Sequence, residues 1–330
     1  MALLLAPLTI RSLSLHNRLI MPPMATAKAL PDGSVSPEIL DYYQEKSAGG
    51  YVSLIIIEHS FISPEGRAGE RQLSVATDSV MDGLKRLAEI IHRNGSKTIM
   101  QLNHAGSAAN ANLTGSDPVG PSAVLNPRMG IMPRAMDQTE IALVVEAFAK
   151  AAQRVKEAGF DGVEIHSAHG YLLNQFFSPL TNRRQDDYGG GVANRIKIHL
   201  EVVKAVRAIA GSDFPVFLRL GAGDFLDGGT TVLDSQAATP VLVEAGVDVL
   251  DISAGLTGYA VPGLSGQGYF APLSAAVKKV VRVPVILTGG VTEAQAAESL
   301  LQQGQADLIG VGRSILADSD WARRAVTALQ

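Results

Sequence analysis

The chain has 330 residues, 46% of them hydrophobic and 18% charged, with a formal net charge of −4. This is the composition of a well-buried globular protein rather than a disordered one, and it offers no basic field for nucleic acid or an anionic membrane surface. There is no cysteine, which removes disulfides, thiolate nucleophiles, Cys-ligated zinc and iron–sulfur clusters from consideration. No window approaches the ~20 apolar residues of a membrane-spanning helix. The opening stretch MALLLAPLTIRSL lacks a basic n-region and is interrupted by Pro7 and Arg11, so no signal peptide is expected and a cytoplasmic location is.

Eight short runs rich in Val, Ile and Leu succeed one another along the chain: RLIMPPM, YVSLIIIEH, SKTIMQLNH, DGVEIHSA, PVFLRLGA, VDVLDISA, VPVILTGG and ADLIGVGR. Their nearly continuous apolar character is that of strands buried on both faces. Helical patterns separate them. The first opens with Ser36 as N-cap, Pro37 at the first helical position and Glu38 early, and closes on Gly49. The second runs from Asp78 to Gly95, the third from Thr139 and Glu140 to Gly159, and the fourth ends on Gly211; further segments begin at Asp234, Ala271, Thr292 and Asp318. Strict strand–helix alternation implies a parallel sheet, and eight units fit closure. An open doubly wound sheet would want a GxGxxG turn after the first strand, where PPMATAKA stands instead. The expectation is one α/β domain over residues 1–330, a (β/α)8 TIM barrel with a short N-terminal hairpin and a long loop after the third strand, from Asn103 to Gln138. A loop of that length is usually functional.

Active sites of such barrels lie at the strand C-termini. Those positions hold Pro23, Met24 and Ala25; Glu58 and His59; Gln101, Asn103 and His104; His166, His169 and Tyr171; Arg219; Ser253 and Gly255; Gly289 and Gly290; Gly312 and Arg313. The glycine-rich turns after strands seven and eight suit a phosphate, held by backbone N–H groups and the Arg313 fork; the alternative is tight turns that need positive φ. The HxxH pair of IHSAHGYLLNQF admits three readings. The imidazoles could be metal ligands, with Glu58, Asp224 or Asp251 as a further donor. They could be satisfied core groups. Or they could donate hydrogen bonds to a substrate oxygen, with Tyr171 nearby as a phenol that yields its proton only to a strong base.

Several of these stretches resemble the Old Yellow Enzyme family of FMN-dependent ene-reductases, especially the bacterial branch that includes the barrel domain of 2,4-dienoyl-CoA reductases. The resemblance runs from PLTIRSLSLHNRLIMPPM through LIIIEHSFISPEGR, IMQLNHAGS and AGFDGVEIHSAHGYLLNQFFSPLTNRRQDDYGG to LTGGVTEAQAAESLLQQGQADLIGVGRSILADSDW. It implies that Pro23 and Met24, with Ala25, line the flavin ring. It makes Gln101 the amide at the pyrimidine edge and Arg219 the cation near flavin N1. The phosphate falls to Gly289, Gly290, Gly312 and Arg313. It implies that His166 and His169 hold a carbonyl or nitro oxygen and that Tyr171 is the proton donor. The implied reaction is ping-pong reduction of an activated alkene by NADPH or NADH through FMN, with no metal.

Some positions depart from the family pattern. Ala25 stands where many relatives have Cys or Thr, and Ala27 where one branch has an aromatic residue, which implies a roomier pocket. His59 replaces a small residue at the flavin edge and either touches cofactor or substrate or caps its strand; Asn103 and His104 stand on a similar footing. The segment WARRAVTALQ provides no tail arginine for a dimer interface, and homo-oligomeric association stays open. Without cysteine the chain is not expected to carry the iron–sulfur cluster of the dienoyl-CoA reductases. The alternatives are an FMN barrel acting on another substrate, of amine dehydrogenase or NAD(P)H:flavin oxidase type, and a metal-dependent barrel lyase or hydrolase.

Overall fold

In the computed structural model, which describes residues 2–127 and 129–330, eight strands close into one parallel barrel. They are β1 (Leu19–Met21), β2 (Leu54–Phe61), β3 (Lys97–Asn103), β4 (Gly162–Ser167), β5 (Val216–Gly221), β6 (Val249–Ser253), β7 (Val285–Leu287) and β8 (Leu308–Gly310). Each pairs with the next in sequence, and β8 closes on β1 through Ile309↔Leu19 and Gly310↔Ile20. Helices lie between the strands. This is the expected (β/α)8 barrel.

Local chemistry explains the helix starts. Ser36 caps the helix Pro37–Ser47 by accepting the Ile39 N–H at 3.1 Å, with Pro37 where its missing N–H costs nothing. Two other starts lie earlier than the sequence suggests. Asp137, not Thr139, caps the helix Gln138–Glu157 in a reciprocal capping box with Glu140. Thr231 does the same with Asp234 for the helix Val232–Ala245. The segment at Asp78 begins as a 3₁₀ turn and becomes α-helical only at Met81.

Alternation along each strand builds the interior in layers. At the bottom, Ile20, Leu54, Ile56, Ile99, Phe217, Val249, Ile286 and Leu308 form one apolar cluster. The antiparallel hairpin of Leu8–Ile10 with Leu13–Leu15 adds Ile10, Leu13 and Leu15 to it and so plugs that end. Two residues further along β3, β5 and β6 the side chains turn polar: Gln101, Arg219 and Asp251, joined by Glu164 of β4. Two residues further again stand His166, Ser253 and Thr288. The excursion after β3 is not structureless: it holds helical turns at Gly106–Ala108 and Ala111–Thr114 and pairs Val119–Gly120 with Arg134–Ala135. Among the described residues no helix is long and apolar enough to cross a membrane.

Candidate active site

The C-terminal ends of the strands open into a cavity of about 970 Å³, at the upper end of the roughly 300–1,000 Å³ usual for ligand sites. Pro23, Met24, Ala25, His59, Gln101, His166, His169, Tyr171, Arg219, Gly289, Gly290, Gly312 and Arg313 all line it, with Ser253. Glu58, Asn103, His104 and Gly255 do not. Glu58 instead accepts the N–H and hydroxyl of Thr26, at 2.9 and 2.6 Å. His104 accepts the Gly106 N–H at 3.0 Å within the excursion.

The HxxH segment reaches the cavity in two ways. His166 points inward from β4, two residues above Glu164. His169 lies past the strand, in a turn that holds it at φ 59° and Gly170 at φ 74°. Left-handed backbone is uncommon outside glycine, although histidine is among the residues that tolerate it. The turn is pinned: the His169 N–H donates to Ala254 O at 3.3 Å, the Gly170 N–H to Asn174 Oδ1 at 2.8 Å, and Gln175 Nε2 to Gly170 O at 2.7 Å. Tyr171 then occupies the N-cap position of the short helix Leu172–Phe177.

These constraints bring three rings together. The His166 and His169 rings lie 5.1 Å apart at 84°, and Tyr171 lies 5.2 Å from His166 at 71°. His169 Nε2 is 2.7 Å from Ser253 Oγ. His59 stacks on Tyr171 at 5.4 Å, its Nε2 3.3 Å from the phenol oxygen. Burial, with smaller contributions from His169, Arg219 and His59, holds the His166 pKa well below its ordinary value. Burial alone lowers His59 to about 4. Both imidazoles are therefore neutral near pH 7, so each carries one N–H donor and one acceptor.

The floor and the far wall have a different character. Gln101 donates Nε2–H to Glu164 Oε2 at 2.6 Å, and Arg219 Nε stands 3.4 Å from Asp251 Oδ2. Across the cavity Gly289 and Gly290 have φ of 109° and 73°, and a Cβ on Gly290 would lie 2.2 Å from Gly266 O. A Cβ on Gly312 would lie 2.8 Å from Met24 Sδ. Gly289 and Gly290 need positive φ, as the tight-turn reading expects, and the backbone surface these glycines create beside Arg313 is bare of side chains.

The long β6 loop adds residues that sequence reasoning missed. Tyr259, Leu264, Tyr269 and Phe270 line the cavity. Tyr269 Oη donates to Tyr259 O at 2.9 Å and receives Arg313 Nη2 at 3.3 Å. The available signal was loop length: residues 254–270 far exceed the 2–6 usual between strand and helix. Two of the three carboxylates named as further metal donors are held by the protein itself. Asp224 is engaged by Ser178 Oγ and the Thr230 and Leu256 N–H groups, and Glu58 by Thr26. Among the described residues no group of three or more metal-ligating side chains is gathered.

Known proteins agree with this geometry. The family model for NADH:flavin oxidoreductase / NADH oxidase, an FMN oxidoreductase family, matches residues 3–330. The chain belongs to that family. It is 41% identical over 322 residues to an NADH oxidase of Thermoanaerobacter brockii, covering 96% of this chain but 49% of that protein. It thus spans about half the length of that curated relative. It is 35% identical over 330 residues to an NADPH dehydrogenase of Geobacillus sp. (strain WCH70), covering 99% of this chain and 94% of that one. The solved old yellow enzyme homologue from Zymomonas mobilis superposes with a TM-score of 0.85 at 28% identity, over 99% of this chain and 93% of that one. The Old Yellow Enzyme resemblance therefore holds at family level.

The cavity fits FMN by its donor set. It joins a bare glycine wall with a guanidinium for a phosphate, an amide and a second guanidinium at the floor, and apolar Pro23 and Met24 along one side.

Proposed function

We propose that this protein reduces the activated C=C bond of α,β-unsaturated carbonyl or nitro compounds with NAD(P)H, as a single cytoplasmic FMN-binding domain over residues 1–330. The observation that carries the reading is the trio of His166, His169 and Tyr171 on one wall, with the two imidazoles at right angles 5.1 Å apart. Bound FMN would supply the hydride chemistry, taking a hydride from the nicotinamide and passing it to the substrate's electron-poor Cβ.

Gly289, Gly290, Gly312 and Arg313 hold the cofactor's phosphate in this reading. Pro23, Met24 and Ala25 line its ring, with His59 at the edge, Gln101 at the pyrimidine edge and Arg219 near N1. His166 and His169 each donate an N–H to the substrate oxygen. Burial keeps His166 neutral, and a neutral N–H donor can stabilise developing negative charge on the oxygen without a buried counter-ion. Tyr171 delivers its proton to Cα. A phenol of ordinary pKa ~10 keeps that proton from water and weak bases and yields it to a carbanion. The apolar surfaces of Leu264, Phe270 and Tyr259 limit water at the mouth.

The test is direct. Purified protein should be yellow, release FMN on denaturation, and be reoxidised by enones and nitroalkenes after anaerobic reduction with NAD(P)H. Protein that reconstitutes with no flavin, or that is reduced but reoxidised only by oxygen, overturns the reading.

A further inference from the structure

Beneath the cavity floor lie two fully buried carboxyl groups that the proposed reaction does not use. Glu164 on β4 stands beside its strand partner Gln101 on β3, and Asp251 on β6 beside its strand partner Arg219 on β5. Both carboxyls are 0% exposed; their strands flank β5, with Glu164 in register with Phe217 and Asp251 with Arg219, and the charge of Asp251 acts on Glu164. Glu164 Oε2 receives Gln101 Nε2 at 2.6 Å, but Glu164 Oε1 and both oxygens of Asp251 meet no donor among the described residues. Arg219 approaches Asp251 at 3.4 Å without a formed hydrogen bond.

Two ionised carboxylates are acceptors only, and side by side in the interior they repel each other while three of their four oxygens accept no hydrogen bond from the described residues. One proton resolves both problems. On Glu164 Oε1 it makes that oxygen a donor to Asp251, leaves Oε2 free to accept from Gln101, and reduces the buried charges to one anion facing one cation. We propose that Glu164 and Asp251 hold a single proton between them, and that this acid–carboxylate pair positions Gln101 and Arg219 under the cofactor site. Burial and the neighbouring Asp251 push Glu164 well above the carboxylate range. Burial pushes Asp251 up to about 6, with Arg219 working against it. The Arg219 guanidinium beside Asp251 favours the anion there, so the proton belongs on Glu164.

The arrangement has a consequence for recognition. With one Nε2 hydrogen committed to Glu164, Gln101 leaves Oε1 and its second N–H for the cavity. That is an acceptor–donor pair, the complement of an imide edge with its N–H and C=O. The Glu164 acceptor thus sets which way the amide faces. Because Asp251 is the anion, it alone offsets Arg219.

The inference rests on the cofactor roles proposed for Gln101 and Arg219, and the two can fail separately. Infrared spectra of the FMN-free protein at pH 7 test the proton: a carboxylic-acid C=O stretch should be present and weakened in Glu164→Gln. Burial raises Glu58 to about 7, so it contributes to that band as well; a wild-type minus Glu164→Gln difference spectrum with no acid band overturns the shared proton. If Glu164→Gln does not fold, Asp251→Asn should keep the stretch at shifted frequency, and loss of the stretch there overturns it equally. Midpoint potentials of the FMN-loaded variants test the link to the cofactor. Glu164→Gln replaces a neutral acid with a neutral amide that can still accept from Gln101 and donate to Asp251, and should leave the potential near wild type. Asp251→Asn removes the only anion beside Arg219 and should raise the potential. A rise in Glu164→Gln as large as in Asp251→Asn overturns the assignment of the proton to Glu164. Infrared results as expected with no potential change in Asp251→Asn overturn the cofactor role of Arg219 instead.

Discussion

Replacing both His166 and His169 by alanine tests the proposed chemistry most sharply. His166 is 3% exposed, and its Nδ1 meets no partner among the described residues. His169 is fixed by the 2.7 Å contact to Ser253 and by a pinned left-handed turn. Loss of one preorganised donor to a developing oxyanion typically costs 10²–10³-fold, or about 2.7–4 kcal/mol. Independent donors would give roughly 10⁴-fold or more for the pair. The rings are in contact, however, and anchor one atom together, so their effects should not add. The expectation is roughly 10²-fold for either single substitution and on the order of 10³-fold for the double. The assay is anaerobic stopped-flow reoxidation by 2-cyclohexen-1-one, beside a phenol titration that reports oxygen anchoring by charge-transfer absorbance. FMN should stay bound, because neither ring belongs to the glycine wall or the floor. A flavin-loaded double variant with wild-type phenol absorbance, or reoxidation within a few-fold of wild type, refutes the reasoning. Since the fold keeps His166 neutral, anchoring should also be flat from about pH 6 upward.

Tyr171→Phe should slow reoxidation by the enone while leaving reduction by NAD(P)H nearly unchanged; equal slowing of both half-reactions would remove Tyr171 as the proton donor. Gly290→Ala places a Cβ 2.2 Å from Gly266 O at φ 73°, and overpacking of about 1–3 kcal/mol should raise the FMN Kd roughly tenfold to hundredfold. Gly304→Ala carries a similar φ of 67° with open space around it and is the control; equal FMN affinity in the two variants counts against the wall. Burial holds His199 at about 3, so between pH 6.5 and that value only the unfolded chain binds this proton. Stability is then lost as pH falls through that window, by up to about 1.4 kcal/mol per unit. His199→Asn should flatten the fall of Tm from pH 7 to pH 4, and parallel curves for variant and wild type would show that His199 does not contribute to it.

Much of the barrel was legible because its signals are local. Eight apolar runs separated by helical patterns, several of which end on a glycine, read directly as strand–helix units, and the count implied closure. Helix starts were missed by a few residues where a reciprocal cap decided them: Asp137 with Glu140, and Thr231 with Asp234, satisfy orphan N–H groups that an apolar pattern does not register. Glu58, Asn103 and His104 were misplaced because position at a strand end is not direction. Glu58 is taken by Thr26, and His104 turns into the excursion.

The sequence by itself determined the repeat, the family and the candidate set on the strand ends, because period, turn chemistry and motif are properties of neighbours along the chain. Only the tertiary structure decided which of those side chains share one space. It brought His59 onto Tyr171 across 112 residues and moved Tyr259 and Tyr269 in from the β6 loop. It also set Glu164 against Asp251 below the floor. Barrel closure brings strands distant in sequence to one axis, and the exclusion of water there gives a buried histidine its neutrality and makes two buried carboxyls share a proton.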